Sequence, residues 1–368
     1  MTSDTTTRSD RRRSKGIEGE QGEGRKKQRT RGQRIRRAIL WTLLVVVLAT
    51  AGTGYWLYSR LDDNIESFDI DDAVNGERPE KLATGARDIL VLGSDSRSGD
   101  NKDLAGGNVG GTARSDTAMV VHIPEGRQKA VAISIPRDTL VSRPECTKKD
   151  GTKLPAAERV MFNSVYTSAG PGCVINTVEK MSGVRIDHYM EIDFSGFKEL
   201  VDAIGGVTVT VDQPIRDKES GLDLTAGSHK LDGTESLAFV RTRHGIGDGS
   251  DLGRIGLQQE FMIALLKEVK SQDLLGSPAK SFKIADSLTQ SLTTDSGLDS
   301  LTKLAEFARS MDGVNPASME TVMLPVAYDK IDPNRVVAAE PQATELWKAI
   351  RNDSEIPASA KKSPATGG

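Results

Sequence analysis

Residues 38–58, AILWTLLVVVLATAGTGYWLY, run for 21 positions without one charged side chain, and no other feature so narrows what this chain can become. At about 1.5 Å of rise per residue, a helix of that length crosses a hydrocarbon core of roughly 30 Å. Trp41 stands near one end and Tyr55, Trp56 and Tyr58 crowd the other, as interfacial aromatic belts do. Residues 1–37 hold thirteen Lys/Arg against five Asp/Glu, whereas the 368-residue chain sums to −3. With Arg34, Arg36 and Arg37 ahead of the span, the positive-inside rule puts the N-terminus in the cytoplasm and everything after residue 58 outside. The alternative is a signal peptide cleaved near Ala49-Thr50-Ala51, although the apolar stretch continues beyond it; both readings leave the C-terminal bulk outside. Residues 1–37 read as a disordered basic cytoplasmic tail, suited to anionic lipid head groups rather than DNA, and 59–85 as a polar, acidic extracytoplasmic stem.

A folded domain is expected over 86–325. Residues 89–92 form an apolar run closed by Gly93, and TAMVVHI (117–123) and KAVAISI (129–135) follow as strands around a turn through Pro124, Glu125 and Gly126. Residues 160–182 read as two helical pieces broken at AGPGC, HYMEID (188–193) as a strand, FSGFKELVDAIG as a helix stopped by Gly205, and VTVTV (207–211) as a strand. DGTE at 232–235 starts a helix running to about Val240, with Asp232 as N-cap and Glu235 completing a capping box. Another begins near Asp251 and carries Ile255, Met262, Leu265, Leu266 and Val269 on one face, with Asp251, Arg254 and Gln258 at the N-terminal end of that face. Helical patterns at 281–292 and 297–311 and a strand in METVMLP (319–325) complete the domain, and 326–368 reads as a polar C-terminal tail whose last dozen positions are disordered. The alternation predicts an α/β class: three α-β-α layers with a central mixed β-sheet, preceded by one N-terminal transmembrane helix. Cys146 and Cys173, both on the outer side, are expected to pair, closing a loop of about 28 residues worth about 3 to 4 kcal/mol.

Four segments set charge against strand ends: GSDSR with Asp95 and Arg97, ARSDT with Arg114 and Asp116, PRD with Arg137 and Asp138, and FVRTRHGIGDGSDLGRIGLQQEF with Arg241, Arg243, Asp251, Arg254 and Gln258. Ligands of open α/β sheets gather beyond strand ends, so these segments can converge. Six arginines in an acidic domain are costly unless an anion lies among them. Guanidinium forks match phosphate oxygens in pairs, and the cluster contains no lysine, so phosphate or pyrophosphate is the natural guest. Asp95 and Asp116, beside these arginines, suit Mg²⁺ (or Mn²⁺), which takes one or two carboxylates with waters and phosphate oxygens. Asp251 reads equally as a base toward an incoming hydroxyl and as a helix N-cap. Asp138 reads as a turn or ion-pair residue, His122 and His188 as sheet residues and His244 as a loop residue, while Asn163 and Gln258 are polar positions on apolar helix faces with no assigned role. Only four histidines and no CxxC argue against zinc.

Together ILVLGSDSR, RSDTAMVV, AISIPRDTLV, FNSVYTSAGP, YMEIDFSGFKELVDAIGGV, LDGTESLAFVRTR and DLGRIGLQQEFM resemble, in order, the blocks of the LytR-CpsA-Psr family of membrane-anchored envelope phosphotransferases. The resemblance covers roughly 86–270, and the cysteine-bearing segment is similar to actinobacterial versions. It implies transfer of a glycopolymer, such as teichoic acid, capsule or arabinogalactan, from a polyprenyl-pyrophosphate carrier to the muramic acid C6 hydroxyl of peptidoglycan, leaving a phosphodiester. It further implies that Arg97, Arg114, Arg137, Arg241 and Arg243 hold the pyrophosphate, with Arg254 and Gln258 nearby, that Asp95 and Asp116 hold the metal, and that the lipid tail lies in an apolar pocket between sheet and helices. Two other functions remain open on the sequence: a pyrophosphatase using water as acceptor, and a non-catalytic envelope-binding regulator. Nucleic acid is not an expected partner, because the arginines belong to the acidic outer domain.

Overall fold

The computed structural model describes residues 31–366 apart from 82–83, 95–114, 127–128, 149, 244–250, 273–276 and 312; for Asp116 and Asp251 it describes the backbone only. Helix α1 (Arg31–Asp63) contains the uncharged span. Within it, residues 38–63 are long and apolar enough to cross a membrane, and the large apolar side chains of residues 39–48 are exposed. The chain divides at Tyr55 into this N-terminal unit and a compact unit from Trp56 onward.

Seven strands build the sheet of the second unit: β1 (Glu66–Phe68), β2 (Arg87–Ser94), β3 (Ser115–Ile123), β4 (Val131–Ser134), β5 (His188–Asp193), β6 (Leu292–Asp295) and β7 (Glu320–Met323). Their order is β1-β6-β5-β2-β3-β4-β7. The pairs β1/β6, β5/β2 and β4/β7 are parallel and the other three antiparallel, so the sheet is mixed as expected. Strands β2, β4 and β5 all point their carboxyl ends to one end of it.

Alternation along the strands feeds a core on each face. Leu90, Leu92, Val120, Ile133 and Tyr189 face helices α2 (Phe162–Ala169) and α3 (Pro171–Ser182), sharing a core with Phe162, Val165, Val174 and Val178. Ile89, Met119, Ala132 and Met319 form the opposite core, against which Met262, Leu266, Phe307 and Met311 pack. A third core gathers under an antiparallel hairpin (Val207–Val211 with Gly227–Leu231) and joins α4 (Phe194–Ile204), α5 (Gly233–Arg241) and α6 (Asp251–Ser271) through Val201, Phe239, Leu257 and Phe261. The local signals act as read: Gly205 closes α4 in the left-handed region at φ 99°, and Asp232 with Glu235 forms the capping box of α5. Helix α6 differs from its expected single stripe, because Leu257 and Phe261 are buried and Val269 is 38% exposed. It is wedged between two cores, so its apolar positions occupy two flanks.

Three further expectations need correction. Residues 59–85 are not merely a stem: β1 is an edge strand, Ile70 and Val74 enter the core, and Arg78 forms an ion pair with buried Glu179 on α3. The pattern at 281–292 ends earlier, in α7 (Pro278–Ser291), and LTTD at 292–295 is β6, while 297–311 contracts to α8 (Leu301–Ser310). The stretch 326–368 is folded rather than a tail. Val326–Tyr328 pairs with Val336–Ala338, and α9 (Gln342–Arg351) buries Ala343, Leu346, Trp347 and Ile350 in the α2/α3 core. Those four sit at i, i+3, i+4 and i+7, a stripe diluted by polar neighbours. Arg159 donates to Asp329 at 2.8 Å and, with backbone N–H donors, holds its carboxyl down to about 2. Ser363 bonds both the N–H and the carbonyl of Val326, which orders part of the final dozen residues.

Cys146 and Cys173 form the expected disulfide, with Cα atoms 5.5 Å apart. It ties the segment after the Leu140–Arg143 strand to the first turn of α3.

Candidate functional site

Beyond the carboxyl ends of β2 and β5 lies a cavity of about 210 Å³, lined by Thr117, Phe194, Asp217, Glu219, Ser220, Val240, Arg241, Arg243, Arg254 and Gln258. Four of the arginines and glutamines singled out in the sequence therefore meet in one place. The segment Arg241-Thr242-Arg243 shows how the chain achieves this. In a continuous helix, side chains two apart point about 200° away from each other. Here α5 ends at Arg241, and Thr242 adopts extended backbone angles, φ −61° and ψ 133°. Both arginines then reach the cavity, while Thr242 is fully buried and donates to the Ala238 carbonyl at 2.8 Å.

The remaining walls come from other elements. The Arg241 guanidinium lies 5.0 Å from the ring centre of Phe194, the first residue of α4. Such a cation–π contact holds the charge over an apolar wall without neutralising it. Helix α6 supplies Arg254 and Gln258 from its first two turns, both buried. The Gln258 amide donates to the Val240 carbonyl at 3.0 Å, joining α6 to the last turn of α5. A helix N-terminus adds partial positive charge of the same sign as the guanidiniums.

The other expected site residues fall into three groups. Arg137 follows β4 at the same end of the sheet, but it is not among the residues lining the cavity; its Nε is 3.7 Å from Asp138. Asp138 also pairs with Arg335 at 3.1 Å, so its ion-pair reading holds. For Asp116 and Asp251 only backbone is described: Asp116 lies in β3 at the irregularity where Ser94 pairs with Ser115, and Asp251 opens α6. Asp95, Arg97, Arg114, His244 and most of the glycine-rich loops at 99–113 and 244–251 lie outside the described residues. Among the described residues no group of three or more His, Cys, Asp or Glu gathers as a metal cage would.

The sequence reading missed Asp217, Ser220, Phe194 and Thr117. Asp217 sits in IRDKESGL, which has the composition of an exposed turn, yet it is 3% exposed. Its signal is the period of two with buried Ile215, which turns both residues inward.

The model of the LytR_cpsA_psr family matches residues 57–352. The chain is 30% identical over 319 residues to cell wall biosynthesis protein LcpA of Corynebacterium glutamicum, covering 80% of this chain and 60% of that relative's length. It is 29% identical over 290 residues to the polyisoprenyl-teichoic acid–peptidoglycan teichoic acid transferase TagU of Enterococcus faecalis, covering 77% of this chain and 86% of TagU. Among solved structures, a LytR-Csp2A-Psr enzyme from Actinomyces oris shares the fold with a TM-score of 0.55 at 22% identity, covering 77% of this chain and 96% of its own.

Proposed function

The chain belongs to the LytR-CpsA-Psr family, and on that premise we propose that it is a glycopolymer transferase acting at the cell wall. The donor is a glycan on a polyprenyl pyrophosphate, the acceptor is the muramic acid C6 hydroxyl of peptidoglycan, and the product is a phosphodiester link. The observation that carries this reading is the convergence of Arg241, Arg243 and Arg254 on one cavity at strand carboxyl ends. A pyrophosphate carries its charge on oxygens that guanidinium forks match in pairs. The corynebacterial and enterococcal relatives, named for cell wall biosynthesis and for teichoic acid transfer to peptidoglycan, support the substrate class.

In this proposal the acceptor oxygen attacks the glycan-side phosphorus, an O–P bond forms, and the P–O bond to the lipid-side phosphate breaks. Polyprenyl monophosphate leaves with the electron pair. The hydroxyl proton passes to a carboxylate, for which Asp251 at the start of α6 is the candidate. Arg241, Arg243 and Arg254 hold the phosphoryl oxygens while charge spreads over them, so they stabilise the transition state electrostatically. Arg97, Arg114 and Arg137 belong to the same proposed clamp. Asp95 and Asp116 are the proposed ligands of Mg²⁺ (or Mn²⁺): the β2/β3 register pairs Ser94, which precedes Asp95, with Ser115, which precedes Asp116, and that ion takes one or two carboxylates together with phosphate oxygens. When bound, the metal supplies charge neutralisation on the phosphate oxygens. The proposal places the domain after the span outside the cell and the N-terminus in the cytoplasm, a reading that the charge asymmetry around the span supports.

The test supplies the protein with a polyprenyl-pyrophosphate glycan and Mg²⁺, with and without peptidoglycan. The transferase reading expects polymer bound to the wall only when the acceptor is present. Free phosphorylated glycan in both reactions indicates a pyrophosphatase, and binding without turnover indicates a binding protein.

A further inference from the structure

The hairpin formed by Ile215–Asp217 and Leu222–Leu224 lines the cavity with Asp217, Glu219 and Ser220. At its turn the Asp217 carboxylate accepts from the backbone N–H groups of Glu219 at 2.9 Å and Ser220 at 3.4 Å through one oxygen. Its second oxygen accepts from the backbone N–H of Arg243 at 2.9 Å. One residue further, the Ser220 and Thr242 hydroxyls meet at 2.8 Å. The turn thus grips Thr242 and Arg243 one after the other, at the point where the chain leaves α5.

From this arrangement, and resting on the pyrophosphate reading above, we infer that Asp217 is a positioning residue for the phosphate clamp: it fixes the extended turn that aims Arg241 and Arg243 into one cavity. The Arg243 contact is made to the backbone N–H, so it fixes the course of the chain where α5 ends. A buried carboxylate accepting backbone N–H bonds is a strong anchor, because charge-assisted bonds exceed neutral ones and their loss strands a donor. Ser220 and Thr242 act as a weaker second contact in the same clasp.

Asp217→Asn keeps the shape and an oxygen for the turn, but sets an amide NH₂ against the Arg243 N–H. The experiment measures binding of inorganic pyrophosphate with Mg²⁺ to the full chain in detergent, by calorimetry well below the melting temperature. Wild type binds, and Asp217→Asn binds about tenfold more weakly. Asp295→Asn is the control: that carboxylate, 4% exposed, accepts from the N–H groups of Tyr189 at 2.9 Å and Gly297 at 2.7 Å at the other end of the sheet. It binds as wild type does, whatever its loss of stability. In an Arg243→Ala background, Asp217→Asn weakens binding by less than it does in wild type, because one of the two guanidiniums it positions is already gone. Should Asp217→Asn not fold, Ser220→Ala carries the test, with an expected loss of about threefold.

Wild-type affinity in Asp217→Asn, or an equal loss in Asp295→Asn, overturns the positioning role. Absence of pyrophosphate binding by wild type overturns the phosphate reading itself, and this inference falls with it.

Discussion

The two sides of the α4–α6 region differ from the α2/α3/α9 layer in what they bury. The layer of α2, α3 and α9 is closed by apolar side chains such as Phe162, Val174, Trp347 and Ile350, and stapled by the Cys146–Cys173 disulfide. Around the cavity, beside Phe194, the buried groups include Arg254, Gln258, Asp217 and Thr242. Apolar burial stabilises by roughly 1.5 to 3 kcal/mol per large side chain, whereas buried polar groups at best recover their desolvation cost. One region therefore holds the fold together, and the other uses that stability to keep charge in a fixed place.

Substitutions should separate the two. The largest effect is expected from Trp347→Ala, which should cost about 3 to 5 kcal/mol in a denaturant titration while the folded fraction keeps its activity. An unchanged midpoint would return 326–368 to the status of a tail. Next, Cys146→Ser with Cys173→Ser should lower stability by about 3 to 4 kcal/mol by loop entropy, again without changing transfer per folded molecule in the cold. Arg243→Ala should do the reverse, reducing transfer about a hundredfold or more, roughly 3 kcal/mol of transition-state stabilisation, with its melting temperature near wild type. A variant that transfers at the wild-type rate would break the comparison at its centre.

The smallest effect is a pH slope. Burial pushes the His122 imidazolium down, but Asp88 at 2.8 Å and Asp353 at 3.0 Å outweigh it and hold the group above its ordinary value. A raised folded value means that this contribution is fully present below about pH 6.5 and is lost as pH rises through the folded value. Urea midpoints should fall across that window, and His122→Gln should flatten the fall. Because Asp353 follows α9, the slope also reports how firmly the C-terminal segment is held to β3.

Much of this division was legible in the sequence, for identifiable reasons. The uncharged span, the strands at 89–92 and 188–193, the Gly205 stop and the Asp232/Glu235 box are local signals that tertiary context left alone. Arg241, Arg243 and Arg254 stand out in the sequence because arginine recurs across four charged segments, and Gln258 lines the same cavity. What escaped depended on distant partners. LTTD becomes a strand because it lies between β1 and β5, and α9 hides four core residues in a polar stretch. Leu257 and Phe261 fall off the predicted stripe because α6 is packed on two flanks. Asp217 looks like a surface turn until the backbone of Arg243 arrives 26 residues later.

The arginine-lined cavity is proposed as a clamp for transfer rather than hydrolysis. The most direct measurement is stoichiometric: supply polyprenyl-pyrophosphate glycan, Mg²⁺ and peptidoglycan, then count polyprenyl monophosphate released against polymer bound to the wall through a phosphodiester. Matched amounts of the two are the predicted result. Release of monophosphate with no polymer on the wall would contradict it.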